Sequence, residues 1–148
     1  MLDAPRRELL SSIGLLILRL GIGGYMLTHG WGKLQMLQAG AFDKFGDPIG
    51  IGGAPSLVLV VAAEFVCALL VMVGLATRLA AVPVVIAMAV AAFVVHAADP
   101  WTLGAGASKE PALLFLIPFL ILIFTGPGLF SLDHLIWRRR PGQPLSKS

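Results

Sequence analysis

The chain has 148 residues, 57% of them hydrophobic and 13% charged, with a net charge of +3. Soluble domains carry about 25% charged residues, so this surplus of apolar surface calls for lipid as its solvent and leaves no room for a separate water-soluble domain. The basic residues are scattered rather than gathered into a stripe, which argues against nucleic acid, and a lone Cys67 excludes an internal disulfide or a Cys-x-x-Cys motif.

The first apolar segment, 9–28, follows Arg6 and Arg7. It is too long for a signal-peptide core, Arg19 interrupts it and no small-x-small cleavage site follows, so it reads as a retained signal anchor rather than a twin-arginine leader. The connection from Gly30 to Pro55 is long for a helix-to-helix link and reads either as a partial lid over the outer end or as a featureless loop, with Trp31 and Lys33 at the interface. Segments 56–76 and 79–98 follow, joined by a turn at Thr77 and Arg78 so tight that the two helices must be antiparallel neighbours. The fourth segment, 111–125, is short and needs flanking residues or a thinned bilayer to cross about 30 Å of hydrocarbon. Thr125-Gly126-Pro127-Gly128 then breaks the helix, and Ser131 is placed to cap a short interfacial helix with Trp137 and three arginines at the headgroups.

The expected fold is therefore all-α: one domain over 1–148, a four-helix transmembrane bundle with a short C-terminal interfacial helix. Arg6, Arg7, Arg78, Arg138, Arg139, Arg140 and Lys147 fall on one side, against Lys33, Lys44 and Lys109 on the other. The excess of positive charge puts the first side, with both termini, in the cytoplasm of a multi-pass protein.

Charged groups inside spans face the bundle interior and find partners, because each costs about 2.5–3.5 kcal/mol in lipid. Counting from His29 and Ser56 as outer helix ends puts Arg19 about 15 Å deep and Glu64 about 12 Å deep, so the two are expected to pair, either as structural glue or as the floor of a polar site. His29, His96 and Glu110 lie higher on the outer side with Asp99 close by. An imidazole beside a carboxylate can exchange protons near neutral pH, so this set is suited to bind and protonate a polar headgroup. A metal held by His29, His96, Glu64 and Glu110 is the weaker reading, since the Glu-x-x-His pairing of bundle metal sites is missing, and haem between the histidines is weaker still. Gly21 to Gly24, with Ala87, Ala91 and Ala92, are expected to let helices approach closely.

Leu18-Arg19-Leu20-Gly21, His29-Gly30-Trp31-Gly32-Lys33, Ala63-Glu64, Gly74-Leu75-Ala76-Thr77-Arg78-Leu79-Ala80-Ala81, His96, Glu110, Thr125-Gly126-Pro127-Gly128 and Ser131-Leu132-Asp133 together resemble the DoxX family. The resemblance implies a small four-helix protein of the bacterial inner membrane, in a family named for a subunit of an archaeal thiosulfate:quinone oxidoreductase. It implies a non-autonomous subunit that binds a quinone-like lipophilic headgroup and no covalent cofactor. His29 and His96 would bond carbonyl oxygens, Glu110 would assist, Trp31 would line the site, a second subunit would deliver electrons, and a partner protein or homo-oligomer is expected. The rival readings are a non-enzymatic anchor for a redox or detoxifying partner, whose outer cavity would be filled by side chains, and a lipid or sterol binder with no need of the histidines.

Overall fold

A computed structural model of the chain describes residues 3–102 and 106–138. Helix α1 covers Ala4–Gln38, with Pro5 in its first turn, where the missing N–H is not needed. It ends in a Schellman motif: Gly40 adopts φ 64°, its N–H bonds Leu37 O, and the Ala41 N–H bonds Met36 O. Helices α2 (Gly53–Val73) and α3 (Thr77–Val95) are, like α1, long and apolar enough to cross a membrane. Helix α4 (Glu110–Thr125) is a shorter apolar helix, and α5 (Leu132–Arg138) follows the Gly126-Pro127-Gly128 break.

The first sequence boundary needs correction. Helix α1 does not stop at Thr28 but continues to Gln38, because Gly30 and Gly32 remain helical and the first left-handed glycine is Gly40. At 1.5 Å per residue it is about 52 Å long, so its last turns run past the bilayer core.

A second Schellman motif makes the α2–α3 turn: Gly74 has φ 73°, its N–H bonds Val71 O, and the Leu75 N–H bonds Leu70 O. The first turn of α3 is capped from far along the chain, since Asp133 accepts from the Ala76 N–H at 2.7 Å and the Thr77 N–H at 3.0 Å. Ser131 caps α5 as its position predicts, accepting from the His134 N–H at 3.1 Å. The Leu129 N–H donates to Ser12 of α1 at 3.1 Å, which ties the end of α4 to the start of α1. Much of the Gly-Leu-x-Thr-Arg and Ser-Leu-Asp pattern therefore serves one clasp at the end of the bundle where α1 begins.

The core between the helices holds Met26, Leu57, Ala68, Val71, Ala81, Val84, Ala92, Phe119 and Leu122, and α3 packs along α4. Outside it, Tyr25, Leu79 and Phe124 are 71%, 77% and 75% exposed, an apolar exterior that lipid must cover. Of the small residues expected at helix contacts, Gly23 packs on Ala68 and Met72 and Ala92 is buried, whereas Gly21 and Gly24 have open space beside them.

Between α1 and α2 a short 3-10 turn, Phe42–Lys44, leads to Asp47, whose carboxylate accepts from the Gly52 N–H at 2.7 Å, the Ile51 N–H at 2.9 Å and Ser56 Oγ at 3.1 Å. Those backbone donors, Gly52 first, hold the Asp47 carboxyl below the usual carboxylate range. A lowered folded-state value stabilises the folded loop above the ordinary value of 3.8 and loses that contribution as the pH falls below it. Protection of the Ile51 and Gly52 amides against hydrogen exchange, relative to the intrinsic rate at each pH, should fall on acidification through that range more than that of neighbouring loop amides does. Asp47→Asn should remove the difference.

Candidate functional site

The site lies at the far end of the bundle, where α1 crosses α2. Gly30 makes the crossing close: a Cβ there would fall 2.7 Å from Glu64 O, a backbone atom that cannot swing aside. His29 and Lys33, four residues apart on α1, share the face beside this contact. Glu64 stands in a π-helical turn, Ala62–Cys67, which interrupts α2. A second π-helical turn, Ala91–Val95, ends α3, and its i→i−5 bond from the His96 N–H to Ala91 O sets the position of His96. Such wide turns occur mostly where a helix is bent to serve a site, and here both stand at the same polar cluster.

Glu64 is 2% exposed and accepts a hydrogen bond from Lys33 Nζ at 2.5 Å. Pairing a buried carboxylate with an ammonium is what makes burying it tolerable. The ring of His96 binds Asp99 through Nδ1 at 2.7 Å. Asp99 is held in turn by the loop, since Lys109 Nζ donates to Asp99 O at 2.6 Å and to Ala97 O at 2.9 Å while lying 5.4 Å from the centre of the Trp101 ring. His29 packs edge-on against Phe115 of α4, with ring centres 5.2 Å apart.

Two cavities meet at this cluster. The larger, about 440 Å³, runs between α2 and α3 past Leu59, Val60, Pro83, Ile86, Ala87 and Val90, and is closed on one side by Phe45, Pro48 and Ile49 of the α1–α2 loop. The smaller, about 160 Å³, lies among α1, α3 and α4 and is lined by Met26, His29, Met88 and Phe115. Lys33, Glu64, Ala91 and His96 belong to both. An ion pair and a histidine thus stand between an apolar groove and a smaller chamber of mixed lining. Part of the α1–α2 connection does cover the groove, although its first nine residues are helix.

The expected Arg19–Glu64 pair does not form. Arg19 is fully buried near the opposite end, where Nη1 donates to Val71 O and Met72 O at 3.3 Å each and Nη2 donates to Phe130 O at 2.5 Å. The reason is register: with Gly30 level with Glu64, Arg19 lies eleven residues, about 16 Å, toward the start of α1. It bonds carbonyls at the end of α2 instead of a carboxylate, and Lys33 takes the place beside Glu64. His29 and His96 do share one chamber. Glu110 opens α4 and is partly buried, but it lines neither cavity, although its neighbour Pro111 lines the smaller one. Trp31 is 53% exposed, rests on Phe65 and lines neither cavity. Among the described residues no group of three or more His, Cys, Asp or Glu side chains is close enough to hold a metal ion, so the set His29, His96, Glu64 and Glu110 does not gather as a ligand sphere.

Lys33 is the residue that sequence reasoning missed. The available signal was its spacing of four from His29, which puts both on one face once α1 is allowed to continue.

The chain matches the DoxX family model over residues 14–97, a stretch that runs from before Arg19 to just beyond His96. It is 32% identical over 136 residues to an uncharacterized membrane protein of Mycobacterium tuberculosis, covering 82% of this chain and 80% of that one. Two uncharacterized proteins of Haemophilus influenzae are each 29% identical, one covering 84% of this chain and 92% of its own length, the other 95% of both. No solved structure matches. The chain is a membrane protein that belongs to the DoxX family.

Proposed function

We propose that the protein binds a lipophilic molecule with a quinone-like headgroup, its apolar body in the groove between α2 and α3 and its polar head against Lys33, Glu64 and His96. The groove is the observation that carries this reading: about 440 Å³ of unfilled, almost wholly apolar space ends on a buried ion pair. Ligand cavities commonly measure 300–1,000 Å³ and combine apolar walls with a few fixed polar groups. Leu59 and Ile86 on its walls are 56% and 58% exposed, so a molecule dissolved in the bilayer can enter sideways. Lys33 keeps N–H donors for a ligand oxygen while it holds Glu64, and Glu64 keeps its second oxygen as an acceptor.

In this reading the protein works in the bacterial inner membrane as the membrane subunit of a quinone-linked assembly, with both chain ends in the cytoplasm and electrons exchanged between the ligand and a partner. The surplus of basic residues beside the chain ends and the α2–α3 turn supports the orientation. A purely anchoring protein has no use for an open cavity at the outer end, which favours ligand binding over the scaffold reading.

Titration of the detergent-solubilised protein with a short-chain quinone tests the assignment. The double substitution Lys33→Met with Glu64→Gln removes both charges together and should weaken binding by about tenfold or more, the worth of one or two charge-assisted hydrogen bonds. Unchanged affinity in a variant that still folds would exclude the ion pair as the headgroup site.

A further inference from the structure

We infer that His96 and Asp99 form a proton-accepting pair that makes the site prefer the hydroxyl-bearing, reduced form of its ligand over the carbonyl form. This rests on the ligand reading above and specifies its chemistry. Asp99 Oδ2 lies 2.7 Å from His96 Nδ1. An ionised carboxylate only accepts, so Nδ1 carries the proton and a neutral ring leaves Nε2 with a lone pair. Among the described residues the ring makes no other side-chain hydrogen bond, and it borders both the groove and the inner chamber. A ligand hydroxyl can donate to that nitrogen, whereas a ligand carbonyl meets lone pair against lone pair.

The pair is braced for this role. The Asp99 N–H bonds His96 O at 3.0 Å, and the buried Lys109 holds Asp99 O, so the carboxylate has little freedom to release the ring. The titratable and charged groups around His96 are Asp99 in its own turn, Lys33 and His29 from α1, Glu64 from α2, and Lys109 and Glu110 at the start of α4. Proton transfer needs no oxidant. The ligand O–H bond breaks with both electrons left on oxygen, the proton joins Nε2, Asp99 balances the imidazolium, and the Lys33 ammonium faces the new oxyanion. His96 and Asp99 are each about one-third exposed, at 33% and 35%, so the proton can pass on to water at the outer surface.

Hydroxyl recognition is shared by quinols and sterols, so the probes must separate them. Affinities of the full chain in detergent would be measured, without oxygen, for a short-chain hydroquinone, its dimethyl ether, the matching quinone and a sterol. The hydroquinone should bind about tenfold tighter than the ether or the quinone, the worth of one hydrogen bond. Asp99→Asn offers the ring an N–H donor, turns Nε2 into a donor and should move the preference toward the quinone. A change that only loosened the loop would weaken all the probes alike. Equal affinities in the wild type, or an Asp99→Asn protein with unaltered preference, would overturn the inference while leaving the ligand reading in place. Binding of no probe would remove both. Sterol binding with the same Asp99 dependence would uphold hydroxyl selection and assign it to a sterol.

Discussion

Lys33→Met is expected to lower the unfolding free energy by about 3 kcal/mol, because it strands the Glu64 carboxylate in a site that is 2% exposed. The opposite single change, Glu64→Gln, should cost less, since the Lys33 side chain is 28% exposed and its ammonium can turn toward solvent. Combining the two should recover most of the loss, because the penalty lies in the unpaired charge rather than in the absence of the pair. Thermal unfolding of the three variants in one detergent checks the ordering. A harmless Lys33→Met would mean that the carboxylate finds water or a proton without difficulty, and that Lys33 is not what makes its burial tolerable.

Arg19→Leu should be at least as damaging, again by about 3 kcal/mol or more, but at the other end of the bundle. The substitution removes donors from Val71 O, which keeps the Gly74 N–H, and from Met72 O and Phe130 O, and each buried acceptor left unsatisfied costs about 1–3 kcal/mol. Arg19→Lys keeps the charge but not the planar fork that reaches α2 and the segment before α5 together, so it should recover only part. Because Arg19 sits about 16 Å from the level of Gly30 and Glu64, ligand affinity of the folded fraction should stay at the wild-type value. Parallel measurement of unfolding and of quinone affinity separates the two ends. A matching drop in affinity would mean that Arg19 does act in the site.

The spanning helices were legible because hydrocarbon demands runs of apolar residues of fixed length, and the sequence has them. The tight turn before Arg78 and the Ser131 cap were legible for a similar reason: each is decided by residues within a few positions. The end of α1 was not. His29-Gly30-Trp31-Gly32 looks like a break, yet Gly30 lies in a helix because its missing Cβ admits the α2 backbone, a requirement set by a partner thirty-four residues away. That one boundary shifted the register, gave Arg19 the wrong partner and hid Lys33 in a presumed loop. The π-helical turns and the Asp133 cap on α3 depend likewise on contacts between distant segments. The convergence of His29 and His96 was readable, since α1 ends and α3 ends at the same end of an alternating bundle. The binding of His96 by Asp99 is a local i, i+3 contact, which sequence spacing could suggest but could not orient.

Photolabelling with a quinone that carries a light-activated group, followed by peptide mapping, tests most directly whether the groove between α2 and α3 holds the ligand. The predicted result is adducts on Leu59, Val60, Ala87 or Val90, suppressed by an excess of unlabelled quinone. Adducts spread over lipid-facing residues such as Tyr25, Leu79 and Phe124, with none in the groove and no competition, would contradict it.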